Sequence, residues 1–216
     1  MTRITTSDGA ILEAEWTPAT GERLGAAVLC HPHPLDGGSM RAPLIVRVAR
    51  VLADAGLAVL RFNFRGVGAS TGSWGGGISE KEDVAAAVAT ASDEGDLVGL
   101  AGWSFGATTS LLWQAEAGST LPWAGIAPGI TPYRGHQAPE PDDLRPARRL
   151  VIAGDRDQFA SVAEFTAFSE RIGAGIELLP GSDHFFVFRE RRVGALVAEH
   201  FGGRPPPEEA EPQRGG

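Results

Sequence analysis

A single cysteine, Cys30, stands in the 216 residues, so no disulfide can form within the chain. No apolar run approaches the length of about 18 residues that a membrane span needs. The opening residues, MTRITTSDGAILEAEW, lack the continuous apolar stretch of a signal peptide. Positive charge is in deficit: the formal net charge is −8, which argues against nucleic acid or an anionic membrane as partner. Part of that charge lies in the tail, at Glu208, Glu209 and Glu211. A phosphate-binding loop is also missing, because Gly66-Val67-Gly68 has neither G-x-G-x-x-G spacing nor a helix after it, and no nucleotide cofactor is expected. What is left is a globular chain with 43% hydrophobic and 21% charged residues, of a size that suits one domain. These features predict a cytoplasmic protein; they are silent on oligomeric state.

One stretch organises the rest. Residues 97–115 read LVGLAGWSFGATTSLLWQA: an apolar, strand-like run, then Gly102-Trp103-Ser104-Phe105-Gly106, then helical spacing through Leu111, Leu112 and Ala115. G-x-S-x-G between a strand and a helix is a nucleophile elbow, a turn sharp enough to hold the serine above the sheet. With 29 glycines the motif can arise by chance, and Gly68-Ala69-Ser70-Thr71-Gly72 is a second match. Ser70 lacks the context, since more glycines follow it where a helix would have to start. Ser70 therefore reads as a loop residue and Ser104 as the nucleophile.

Around this stretch, strands are expected at 11–16, 25–30, 57–62, 123–126, 150–153 and 176–179, with helices at 42–55, 80–92, 161–172 and 185–201. The segment 11–16 reads as an edge strand or hairpin arm. Ser79 with Glu82 and Ser161 with Glu164 have capping-box spacing. Proline-rich residues 129–147 read as a short irregular insertion. The expected organisation is one domain over 1–201 and a disordered Pro/Glu-rich tail over 202–216. Alternating strands and helices give an α/β architecture with a mainly parallel sheet flanked by helices, whose sites gather at the carboxyl ends of the strands.

A serine hydroxyl needs a base, and histidine oriented by a carboxylate is the usual one. Of the five histidines, His200 lies late in the last helix and reads as a surface residue. His136 sits in the insertion, and His31 and His33 in the first strand-end loop. His184 follows the last strand and is the expected base. The orienting acid comes from Asp155 or Asp157; Asp157 is favoured, because Asp155 directly follows the strand glycine and is better placed to close the turn. Asp183 reads as a turn residue. A metal reading of His31-x-His33 finds no further His or Cys cluster to complete a site, so no metal is expected.

The order Ser104, Asp157, His184 is serine, acid, histidine, the order of α/β-hydrolases. The blocks HPHPLDGGSM, RFNFRGVGAST, GWSFG, GDRDQF and GSDHFF resemble, in this sequence, the small serine hydrolases of the dienelactone-hydrolase and esterase type, in a bacterial branch of that superfamily. The resemblance implies the α/β-hydrolase fold with minimal cap, a triad and an oxyanion hole. One oxyanion donor is the N–H of Phe105. The other stands where relatives read His-Gly-x; here Pro32 and Pro34 have no N–H, which leaves His33, favoured, or Leu35.

The expected chemistry is hydrolysis of small carboxylic esters through an acyl-enzyme on Ser104. Trp103, Phe185 and Tyr133 are candidates to line the acyl pocket, with Trp74 and Phe186 nearby in the pattern. A peptidase or thioesterase would share the triad, and a non-catalytic binding protein would share the fold. Reaction with a fluorophosphonate separates catalyst from scaffold.

Overall fold

A short apolar run becomes a strand where a sheet can cover both of its faces. In the computed structural model, which describes residues 2–134 and 136–205, the strands are Thr2–Thr5 (β1), Ile11–Thr17 (β2), Gly25–Cys30 (β3), Leu57–Phe62 (β4), Leu97–Trp103 (β5), Trp123–Ile126 (β6), Arg149–Gly154 (β7) and Gly175–Leu179 (β8). The helices are Pro43–Asp54 (α1), Glu80–Asp93 (α2), Phe105–Glu116 (α3), Val162–Arg171 (α4) and Glu190–His200 (α5). Every residue of β3, β4 and β6 is buried, which is why their near-continuous apolar sequences mark them so well.

The sheet order is β1-β2-β4-β3-β5-β6-β7-β8. The pairs β1–β2 and β2–β4 are antiparallel, and all others are parallel. Helices α1 and α5 pack together, as do α2 and α3, and between them they cover the sheet. This is the α/β-hydrolase arrangement, a mainly parallel sheet flanked by helices. The insertion after β6 carries one isolated bridge, Tyr133 to His136, and a 3₁₀ turn at Pro141–Asp143. It forms no lid.

Several expectations need correction. The segment 11–16 is a hairpin arm but not the edge, because β1 pairs outside it through Thr2↔Ala14 and Ile4↔Leu12. The last helix starts at Glu190 rather than at 185. Before it, the Asp183 carboxylate accepts the N–H groups of Phe185 and Phe186, both at 3.0 Å, and turns the chain. Ser161 and Glu164 form their reciprocal capping box. Ser79 and Glu82 do not: Ser79 makes no capping bond. Instead the buried Glu80 carboxylate accepts from Gly75 N at 2.7 Å and Gly77 N at 2.9 Å, closing the glycine loop onto α2. His200 is half-buried rather than on the open surface.

After α5 the chain still binds back to the body, with Gly203 N donating to Ala198 O at 2.8 Å and Arg204 N to Ala55 O at 2.9 Å. Residues 206–216 of the expected tail lie outside the described residues. Among the described residues, no helix is long and apolar enough to cross a membrane.

Candidate active site

The elbow is built by two close approaches. A Cβ on Gly102 would lie 2.4 Å from the backbone of Gly106, and one on Gly106 would lie 2.4 Å from the carbonyl oxygen of His31. Both positions exclude a side chain, so α3 can start hard against the ends of β5 and β3. Between them Ser104 takes φ 53°, ψ −116°, a strained conformation for a residue with a Cβ. Its N–H donates to Ile126 O at 2.9 Å, which anchors the turn to β6. Ser104 opens α3, so the first N–H groups of that helix lie beside it without helical partners.

The loop after β7 carries the acid. Asp157 has a fully buried side chain, and its Oδ1 accepts from Phe159 N at 2.8 Å and Ala160 N at 3.3 Å. Its other oxygen, Oδ2, lies 2.8 Å from Nδ1 of His184. Asp155 does something else: its Oδ1 accepts from Gly181 N at 2.7 Å and closes the turn after β8. Asp157 is therefore the carboxylate the structure brings to the imidazole.

His184 is held from several directions. Its N–H reaches Gln158 Oε1 at 3.3 Å, its carbonyl accepts the indole N–H of Trp103 at 3.1 Å, and its ring meets Phe159 edge-on at 4.6 Å. Ser104 and His184 line the same cavity, of about 590 Å³. No hydrogen bond joins the hydroxyl to the ring among the described residues; in empty sites such contacts commonly tighten only when substrate binds.

The first strand-end loop separates the two candidate oxyanion donors. Leu35 N is engaged, donating to His33 Nδ1 at 3.2 Å, whereas the N–H groups of His33 and Phe105 have no protein acceptor among the described residues. The His33 ring is wedged against Trp74, Phe105 and Tyr133, with centroids 4.8, 5.0 and 5.3 Å away. Burial pushes its pKa down.

His31 is a structural residue. Its Nε2 accepts the N–H of Phe64 at 3.0 Å, and its Nδ1 faces Pro32 O at 2.6 Å, so both nitrogens are used by backbone. Burial takes its pKa to about 3. Among the described residues, no group of three or more His, Cys, Asp or Glu side chains is placed to hold a metal ion.

Trp103, Phe185 and Tyr133 all line the cavity. Trp74 supports its wall through His33 and Phe105. Phe186 is fully buried and belongs to the core. The residue the sequence undervalued is His136. It is buried, stacks 4.4 Å from the Phe105 ring and meets Thr109 Oγ1 through Nε2 at 3.1 Å. Thr109 Oγ1 in turn donates to Phe105 O at 2.9 Å, so the insertion braces the residue after the elbow serine. Burial lowers the His136 pKa to about 4. No local signal marks it, because a histidine in a proline-rich loop reads as exposed.

Ser70 is likewise accounted for. Its hydroxyl donates to Asn63 O at 2.7 Å and accepts from Glu13 N at 2.9 Å, away from the cavity.

Fold and elbow together define an α/β serine hydrolase. Residues 8–137 match the sequence profile of the X-Pro dipeptidyl-peptidase (S15) family, and the chain belongs to that family. The matched segment ends before Asp157 and His184. The chain is similar to an α/β serine hydrolase homologue from Coxiella burnetii, at 28% identity and a TM-score of 0.80, covering 92% of this chain and 95% of that one. A lidless α/β serine hydrolase from Xanthomonas campestris superposes with a TM-score of 0.78 at 27% identity, covering 92% and 91%. An uncharacterised protein of Rickettsia prowazekii is 25% identical over 205 residues, which is 88% of this chain and 83% of the relative.

Proposed function

We propose that the protein hydrolyses carboxylic esters of small acyl substrates, with Ser104 as nucleophile, His184 as base and Asp157 as the orienting acid. The observation that carries this reading is the 2.8 Å contact between Asp157 Oδ2 and His184 Nδ1 at the cavity that Ser104 also lines. A carboxylate on Nδ1 leaves Nε2 unprotonated to take the serine proton and stabilises the imidazolium that forms.

In the first half-reaction Ser104 Oγ attacks the ester carbonyl while His184 takes its proton. The oxyanion is held by the N–H groups of Phe105 and His33, which have no other acceptor among the described residues to give up. His184 then protonates the departing alkoxide, and the acyl group remains on Ser104. In the second half, water loses a proton to His184 and attacks the acyl carbonyl. The carboxylic acid leaves and Ser104 regains its proton. No cofactor or metal enters either half. The substrate is a small molecule, and a cytoplasmic setting fits a chain whose one cysteine, Cys30, is buried and held as a thiol by that burial. The short insertion after β6 supports an open site with no interfacial activation; the Xanthomonas relative is likewise without a lid.

Fluorophosphonate labelling tests the reading directly. Ser104 is expected to react in the folded protein, with Ser104→Ala and His184→Ala unlabelled. Failure of the wild-type protein to label would remove the catalytic assignment.

A further inference from the structure

The family's description names removal of X-Pro dipeptides, a reaction that begins from a free amino terminus. The cavity wall points to a different substrate. We propose that this site takes esters with uncharged, apolar acyl groups of aromatic size, and rejects substrates that carry a free α-ammonium. The inference rests on the hydrolase reading above.

In a dipeptide substrate the ammonium lies two residues from the bond that breaks. An extended residue spans about 3.3–3.6 Å, so that charge sits within about 7 Å of the reacting carbonyl. It therefore falls inside the cavity, where an ammonium loses part of its hydration and a carboxylate partner would have to offset that loss. Among the described residues that line the cavity, Asp36 is the one carboxylate; it is half-exposed, and His33 Nδ1 lies 3.5 Å from its Oδ2. Arg134 Nη2 lies 3.6 Å from its Oδ1, and the same guanidinium sits 5.1 Å over the ring of Tyr133.

The neighbouring imidazoles supply no negative charge for an ammonium. His33 spends its Nδ1 lone pair on Leu35 N, and His136 is tied to Thr109. Burial lowers the pKa of both rings and so disfavours their charged forms. Most of the remaining surface is apolar: Ala42, Ile130 and Phe165 form part of the wall, Phe159 and Phe185 flank His184 at the rim, and the polar side chains Thr131 and Tyr133 bring hydroxyls without charge. A volume of about 590 Å³ lies within the range of sites that enclose a small organic ligand. An ammonium in place of a neutral acyl group therefore loses hydration without gaining a carboxylate that no cation already faces.

The test uses two p-nitrophenyl esters with one carbon skeleton, 3-phenylpropionate and phenylalanine, at pH 6.0 where the amine is protonated. Each rate is divided by that of the ester's own hydroxide-catalysed hydrolysis. Alanyl-proline p-nitroanilide is the third substrate. Active-site titration with a fluorophosphonate comes first, and a protein that does not label at Ser104 fails the hydrolase reading and this inference together. In a protein that labels, the neutral ester is expected to lead the ammonium ester in kcat/KM by about 100-fold or more. The anilide is expected to be cleaved more slowly still. Arg134→Gln frees Asp36, and the gap between the esters is expected to narrow by about threefold or more. Labelling combined with equal or better turnover of the ammonium ester or the anilide would overturn the inference and leave the hydrolase reading standing. A gap that Arg134→Gln leaves unchanged would overturn the role given to the Asp36–Arg134 pair.

Discussion

The indole N–H of Trp103 donates to the main-chain carbonyl of His184 at 3.1 Å. This bond ties the strand that delivers Ser104 to the loop that delivers the imidazole. That loop needs holding, because Phe186 and Phe188 within it have φ of 53° and 63°, a region that residues with a Cβ seldom occupy. Trp103→Phe keeps the ring and deletes the donor. Losing one buried hydrogen bond costs about 0.5–1.5 kcal/mol. On a neutral aryl ester, kcat is expected to fall by about threefold to tenfold with KM nearly unchanged. An unchanged kcat in steady-state kinetics would show that the bond does not position His184.

The two aspartates after β7 separate by function. Asp157→Asn leaves the shape intact but disfavours the imidazole tautomer the reaction needs, and kcat is expected to drop by about 10³–10⁴. Asp155→Asn weakens the contact to Gly181 N, so it should lower the melting temperature while keeping kcat within about threefold of wild type. The reverse pattern would exchange their roles.

Strain at Ser104 gives a prediction of opposite sign for stability and activity. Its φ of 53° and ψ of −116° cost on the order of 1–3 kcal/mol in a residue with a Cβ. Ser104→Gly relieves that strain, offset in part by the extra entropy of glycine in the unfolded chain. The variant is expected to melt higher than wild type and to be inactive. A lower melting temperature than that of Ser104→Ala would argue that the elbow is not strained.

Acid should destabilise the fold early. Burial takes the pKa of His136 to about 4 and that of His31 to about 3, from a usual value of 6.5. Both are therefore depressed in the folded state. Above pH 6.5 folded and unfolded chains are alike neutral at these rings. Below it the unfolded chain binds protons that the folded chain refuses, so stability falls as pH falls, by about 1.4 kcal/mol per unit for each such histidine. For His136 the loss runs from pH 6.5 down to about 4, and for His31 down to about 3. Melting temperatures between pH 7 and pH 5 should show this decline, and His136→Gln should make it shallower. An equal slope in that variant would mean that His136 titrates as freely folded as unfolded.

The amino-acid order by itself determined the elements that burial marks on both faces. Gly25–Cys30, Leu57–Phe62 and Trp123–Ile126 are legible as strands because their runs are apolar throughout except for Arg61, whose guanidinium reaches Glu15 and Met40 O. The glycines of GWSFG announce the elbow because only a residue without a Cβ fits there. That Asp157 and His184 would meet was legible from their positions after strands, since a parallel sheet sends all its strand ends to one edge.

Only the tertiary structure decided what depends on partners distant in the chain. The strand Thr2–Thr5 exists because β2 pairs with it. Ser79 loses its capping role because Glu80 closes on the glycine loop before it. Leu35 N is taken up by a bond to the His33 ring. His136 is buried because Gly77 leaves room for it, a Cβ there lying 2.7 Å from the imidazole. Local sequence encodes periodicity and turn chemistry over a few residues. Which buried polar group satisfies which other is settled only when segments tens of residues apart are packed together and water is excluded between them.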